Sequence, residues 1–287
     1  MADLQDLRHA LRPWHSAKAR VATCVLSGSV HLGHEGLVAT ARAVGDRVVA
    51  VLLPWFGSIG AADATLGVSL ENDLKRLRAQ GVDLVFMPDA ELMYPAGPAV
   101  RLDLGHLGSV LCGEHIPGVI ERSVMVILKS VALTKAQIAC VGEKNWQTYR
   151  ALVRALQVLC LDVAVHVCPT VRDSDDLPWA RRNFLLSDAE RRAAAGLPSA
   201  VREAATRIAA GAPTSLVSAE VQDILLDFGY RRVDYVECCK SDTLTPVSAP
   251  GVGARVFAAA RIGGQRIIDN VPVPALDFEE VDPFLAV

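Results

Sequence analysis

Aromatic residues are scarce, at 5% of 287 positions, and neither sign of charge prevails: 29 Lys and Arg stand against 32 Asp and Glu, a formal net of −3. With a pI near 6.2, the chain lacks the basic footprint on which nucleic-acid binding draws, so that class is set aside. Long apolar runs are missing as well. Mean hydropathy is +0.29, yet charges break the apolar stretches short of the roughly 20 residues that span a bilayer, so no membrane partner is expected. The apolar surplus belongs in a core or an interface. What is present, 51% hydrophobic and 21% charged residues, suits a globular protein of one or two domains and excludes disorder, collagen and disulfide scaffolds.

Seven cysteines (Cys24, Cys112, Cys140, Cys160, Cys168, Cys238 and Cys239) make an odd set without CxxC spacing, mostly inside apolar runs. They are expected to be reduced, buried small hydrophobes. No Cys/His cluster has the short spacing of a metal site, so no protein metal ligands are expected. Residues 1–18 mix Asp3, Asp6, Arg8, Arg12 and Lys18 with no signal-type apolar stretch, and the expected location is the cytoplasm.

Periodicity predicts strands over 20–26, 47–53, 84–87, 138–141 and 163–167, with helices over 35–44, 69–80, 120–131 and 145–159 between them. Strands alternating with helices imply an α/β domain with a parallel sheet, and the near-continuous apolar strands imply cover on both faces. After Pro169 a polar stretch leads into Ala- and Arg-rich helical segments at 188–196 and 199–210. A second domain is expected there, giving residues 1–169 and 170–287. Its later part predicts a helix over 218–228 and strands over 232–237, 255–262 and 265–268, with Gly263-Gly264 as a hairpin signal.

The segment richest in chemistry is Ser27-Gly28-Ser29-Val30-His31-Leu32-Gly33-His34-Glu35, between the first strand and the first helix. Ligands of open α/β sheets bind at the carboxyl ends of strands, and a helix N-terminus favours an anion, so phosphate is the natural occupant. Gly28 and Gly33 would let the backbone approach it. His31 and His34 could donate to oxygens that gain charge during displacement at phosphorus. The competing reading is a turn with two incidental histidines; the HxGH spacing favours function.

HxGH is the signature of the nucleotidyltransferase superfamily, and the chain as a whole resembles the pantothenate synthetase (pantoate:β-alanine ligase) family. The matching motifs run in order: Val82-Asp83-Leu84-Val85-Phe86, Met93-Tyr94-Pro95, Pro117-Gly118, Lys129, Gly142-Glu143-Lys144 with Gln147, Pro169-Thr170-Val171-Arg172, Arg182-Asn183, and Arg266-Ile267-Ile268-Asp269-Asn270. The resemblance implies a Rossmann-like N-terminal domain, a smaller α+β C-terminal lid domain and a homodimer. It implies ATP with Mg²⁺, a small carboxylic acid and a small amine, joined through an acyl adenylate with release of pyrophosphate and AMP. By the same resemblance His31, His34, Lys144 and Arg182 are catalytic. Gly28, Gly33, Gly142, Asn145, Val171, Ala180 and Arg181 join them at the nucleotide, with Gly142 and Asn145 facing the ribose and the Val171 backbone at the adenine.

Departures from the family pattern concentrate at the acid. Its Asn-Pro-x-Gln is Leu53-Pro54-Trp55-Phe56 here, its second pantoate glutamine falls on Thr148, and its Arg-Pro-Gly-His-Phe is Ile116-Pro117-Gly118-Val119-Ile120. The apolar wall Val126 and Ile127 is kept. A site built to hydrogen-bond a substrate hydroxyl discriminates by roughly 10⁴ to 10⁵, so Phe56, Val126, Ile127 and Thr148 are expected to line a less polar pocket for an acid other than pantoate, in specialised metabolism. Trp55 and Phe56 could instead be core. The phosphate loop's Met-Ser-Ser-Arg is Trp179-Ala180-Arg181-Arg182, two hydroxyls fewer and one cation more. The family's acidic pair falls on Asn72 and Asp73, where a metal-positioning role and a solvated helix face explain Asp73 equally well. Alternatives to the leading reading are an authentic, divergent pantothenate synthetase, a catalytically impaired nucleotide-binding homologue, and a different nucleotidyl transfer.

Overall fold

Alternate residues of the early strands point to opposite sides of one sheet, and this period of two builds the first half of the molecule. The computed structural model describes residues 1–53, 69–95, 100–248 and 253–274. Contacts divide the chain into two units, 1–191 and 192–287. In the first, β1 (Val21–Ser27), β2 (Arg47–Leu53), β3 (Leu84–Phe86), β4 (Ile138–Gly142) and β5 (Ala164–Cys168) pair in parallel in the order β3-β2-β1-β4-β5. Its helices are α1 (Leu4–Ser16), α2 (Leu32–Val44), α3 (Leu70–Ala79), the short α4 (Ala90–Met93), α5 (His106–Ser109) and α6 (Cys112–His115), then α7 (Val119–Thr134) and α8 (Trp146–Val158).

Ala22, Cys24, Leu26, Val48, Ala50 and Leu52 face one side and pack against Leu37, Val38 and Ala41 of α2 and Leu77 of α3. Val21, Val49, Val51 and Leu53 face the other, against Leu7 and Leu11 of α1 and Val126 of α7. Strands buried on both faces must be apolar at every position, which is why they read as unbroken runs.

The charges of residues 1–18 conceal α1. Asp3 caps it by accepting from the amides of Gln5 and Asp6 at 2.7 and 3.1 Å, worth about 1 kcal/mol. Leu7 and Leu11 are almost wholly buried, each worth about 1.5–3 kcal/mol. Packing, then, holds this helix more than its cap does.

The polar composition after Pro169 suggests a boundary at 169/170, whereas the contacts gather 170–191 with the first unit. A local hairpin is the cause: Trp179 N–H donates to the Val171 carbonyl at 2.9 Å, and Arg172 and Pro178 form an isolated antiparallel bridge. The Lys144 ammonium, just beyond β4, then donates to the Trp179 carbonyl at 2.8 Å. The short helix α9 (Asp188–Ala194) crosses the division.

In the second unit α10 (Gly196–Ala209) and α11 (Thr214–Asp227) accompany β6 (Arg232–Lys240), β7 (Ala254–Ile262) and β8 (Gln265–Pro272), an antiparallel sheet in the order β6-β7-β8. Gly263 and Gly264 link the last two strands with φ of 55° and 75°, the positive pair a two-residue hairpin requires. The buried Asp234 carboxylate takes Arg266 at 2.7 Å and Arg261 at 3.3 Å, so the arginine of the Arg266-Ile267-Ile268-Asp269-Asn270 motif serves as scaffold.

Five thiols, Cys24, Cys140, Cys168, Cys238 and Cys239, are buried as expected, but Cys112 is half-buried and Cys160 is exposed. It follows α8 with φ of 54°, and this left-handed turn ends the helix and leaves its side chain in solvent.

Candidate active site

The strand order reverses at β1 and β4, and the crevice beyond their carboxyl ends is where open α/β sheets bind ligands. Gly28 leaves β1 with φ of 69°, and a Cβ there would stand 2.6 Å from the Arg181 guanidinium carbon. The glycine is required by its backbone, and the arginine laid across it would have to shift for any side chain placed there. His31 begins α2 with extended backbone (φ −138°, ψ 172°), and its carbonyl accepts from the amides of His34 and Glu35 at 2.8 and 3.1 Å. The two imidazoles consequently stack, with centroids 3.8 Å apart. Gly33 makes room: a Cβ would stand 2.9 Å from the His31 ring and 3.5 Å from Trp179.

Both rings are held uncharged. Burial comes first in pushing His31 down to about 2, followed by His34, Lys144, Arg76 and Arg181. His34 is lowered to about 4 by burial and then by Lys144, while a hydrogen bond to the Ser29 backbone opposes the shift. The Nδ1 atoms of both rings are buried without a hydrogen-bond partner. Neutral imidazoles under three cations are poised to donate to an anion and to gain charge when one arrives.

The sequence-derived residues divide three ways. Gly28, Gly33, His31, His34, Lys144, Val171, Ala180 and Arg181 come together: Lys144 binds the carbonyl preceding Ala180, and Val171 packs where a Cβ on Gly36 of α2 would stand 2.6 Å from its methyl. Gly142 has open space beside it, Asn145 is exposed directly before α8, and Arg182 is exposed in the 3-10 turn Arg181–Leu185. In the expected acid pocket, Val126 packs with α1 and β2, Ile127 packs with the cluster between α7 and α8, and Thr148 is buried on α8. Phe56, with Pro54 and Trp55, lies outside the described residues.

Gln147 has its amide fully engaged. Its Nε2 donates to the carbonyls of Leu107 and Val110 at 2.9 and 2.7 Å, and its Oε1 accepts from the Cys112 amide at 3.1 Å. Lys129 likewise clamps the carbonyls of Leu92 and Met93 at 2.8 and 2.7 Å. Sequence reasoning missed Arg76 and Glu35 altogether. Arg76 on α3 adds to the positive charge that disfavours protonation of the histidines and is paired with Glu35 of α2 at 2.6 Å, a pair whose only signal is the acid directly after HxGH.

Among the described residues no group of three or more His, Cys, Asp and Glu could hold a metal ion, and no helix is long and apolar enough to cross a membrane.

An open parallel sheet with paired histidines at the end of its first strand and a lysine at the end of the fourth defines the HxGH class of nucleotidyltransferases. A family model described as pantoate-beta-alanine ligase matches residues 1–272. The pantothenate synthetases of Dinoroseobacter shibae and Roseobacter denitrificans are 36% and 34% identical to the chain, over 95% and 94% of it and 98% and 96% of their own lengths. The crystal structure of pantothenate synthetase from Thermus thermophilus matches with a TM-score of 0.82 and 31% identity, over 95% of this chain and 98% of that one. A pantoate-beta-alanine ligase from Francisella tularensis, solved with β,γ-ATP and β-alanine, shares the fold with a TM-score of 0.77 at 22% identity, over 95% of this chain and 96% of its own. The chain belongs to the pantoate-beta-alanine ligase family.

Proposed function

We propose that the protein is an ATP-dependent ligase that joins pantoate to β-alanine through an acyl adenylate. The observation that carries the chemistry is the stacked pair of neutral imidazoles ringed by Lys144, Arg181 and Arg76. Family membership across residues 1–272 supports the choice of substrates.

Free carboxylate is a poor electrophile, so the acid is first activated. Its oxygen attacks the α-phosphorus of ATP, the bond to the bridging oxygen breaks, and pyrophosphate leaves. His31 and His34 donate to phosphate oxygens as charge grows on them, and Lys144, Arg181 and Arg182 offset that charge. The β-alanine nitrogen then attacks the acyl carbon and loses a proton, and AMP departs with its oxygen to leave an amide. The cradle fits a polyphosphate, since the two buried Nδ1 atoms have no protein partner and each can present an N–H to a phosphate oxygen once the arriving anion favours protonation of its ring. Mg²⁺ entering with ATP would be held mainly by phosphates and water, and would neutralise charge there.

A second reading, ligation of a less polar acid, is favoured by one observation: Thr148 stands beside a glutamine whose amide is fully engaged elsewhere, so Gln147 is no substitute for the pantoate-gripping side chain. Pyrophosphate release with ATP and a panel of small acids, with and without β-alanine, separates the two. Pantothenate, AMP and pyrophosphate in equal amounts is the expected result. Silence with pantoate and turnover with another acid would transfer the assignment to the second reading. A cytoplasmic homodimer is part of the proposal, and light scattering tests the assembly.

A further inference from the structure

We propose that Asp73 is the positioning residue of the histidine pair, its carboxylate fixing the peptide from which the His31–His34 turn is suspended. This rests on the adenylating role proposed for the two rings. Asp73 lies on a helix whose neighbouring Glu71 and Lys75 are largely exposed and pair with each other, yet it is itself 5% exposed. Its Oδ1 accepts from the Val30 amide at 3.0 Å. A carboxylate withdrawn from water costs several kcal/mol unless bonded, and burial accordingly raises its proton affinity while the Val30 bond opposes the rise.

The peptide joining Ser29 to Val30 is held at its N–H and leads directly into the turn. That N–H goes to Asp73, and the next residue, His31, accepts at its carbonyl from the amides of His34 and Glu35. A rotation of that peptide would tilt His34, and with it the His31 ring stacked at 3.8 Å. The helix bearing Asp73 is itself locked to α2 in the reverse sense. Glu35 of α2 accepts from Arg76 Nε at 2.7 Å and from Gln80 Nε2 at 3.1 Å. One carboxylate reaches from α3 to the turn and another from α2 back to α3, so neither helix can slide without breaking a buried or half-buried bond.

The test compares Asp73→Ala, which removes the acceptor, with Asp73→Asn, which keeps an oxygen there without charge. Two readouts are taken: ATP–pyrophosphate exchange, and the imidazole NMR resonances of the ligand-free protein. Asp73→Ala should lower kcat for exchange about 10²-fold, the order expected of a misplaced catalytic group, leave KM for the acid unchanged and shift both ring signals. Asp73→Asn should stay near wild type in both. Wild-type kcat in Asp73→Ala would overturn the proposal, as would an Asp73→Asn loss as deep as that of Asp73→Ala, because charge would then matter and the hydrogen bond would not. Should wild-type protein show no exchange with any acid, the functional reading fails by itself. The ring signals still decide the positioning role, and unchanged signals in Asp73→Ala would end it. If Asp73→Ala does not fold, Asp73→Ser, whose hydroxyl is too short to reach the Val30 amide, should show the same loss of kcat and the same ring shifts, and wild-type behaviour in it would overturn the proposal.

Discussion

The rings of His31 and His34 lie face to face, 3.8 Å apart and 20° from parallel, and burial together with the charges of Lys144 and Arg181 keeps both uncharged. Protonation of either ring is disfavoured in the folded state. In the unfolded chain both return to the ordinary value of 6.5. As pH falls through 6.5 the unfolded state takes up protons that the native rings refuse until about pH 4 and about pH 2, so stability drains away over that window. Urea unfolding of ligand-free protein should show a loss of up to about 1.4 kcal/mol per pH unit for each ring below pH 6. The slope should flatten in the His31→Gln, His34→Gln double variant. An unchanged slope would mean that the rings are solvated.

His34→Ala and Lys144→Ala each remove a group aimed at developing phosphate charge. The loss of one such donor is commonly worth about 10² to 10³ in rate, and ATP–pyrophosphate exchange should fall by that much in each. Near-normal exchange in both would remove the pair from the chemistry.

Gly28→Ala tests the crossing of backbone and arginine. An L residue in this left-handed conformation costs about 1–2 kcal/mol, and its Cβ would displace the Arg181 guanidinium. A lowered Tm is expected, together with ATP binding weakened by about tenfold, since a hydrogen bond to a charged group contributes about 1.5–3 kcal/mol. A stability loss with unaltered ATP affinity would separate Arg181 from the phosphates.

Gln147→Ala should act on the scaffold. It removes three hydrogen bonds to residues 107–112, and leaving such groups unsatisfied costs about 1–3 kcal/mol each when buried. The urea midpoint should fall, and the Cys112 amide should exchange hydrogen faster. A change confined to catalysis would instead place Gln147 at the substrate.

The first unit was legible because its physics is local. Unbroken apolar runs such as 47–53 and the HxGH spacing announce themselves within one window, and the HxGH turn led to Gly28, His31, Gly33 and His34, while the family resemblance added Lys144. Contacts across distance were not. On an amphipathic helix, Asp73 has the same local signature whether it meets water or the Val30 amide 43 positions away. Arg76 looks like any surface arginine until Glu35 is placed beside it. Conversely, residues that carried the family resemblance, Gln147, Lys129 and Arg266, prove to brace loops and a buried carboxylate. A kept motif records a constraint, and the constraint can be architectural.

The burial of the thiols makes the protein convenient to watch. Burial drives Cys140 up to about 12 and Cys238 to about 11, suppressing the reactive thiolate, whereas Cys160 stands exposed beyond the C-terminal end of α8. Asn145 and Lys144 precede the opposite end, and a helix of 13 residues is about 20 Å long. A maleimide dye on Cys160 would therefore report on the whole length of that helix without entering the crevice at its start.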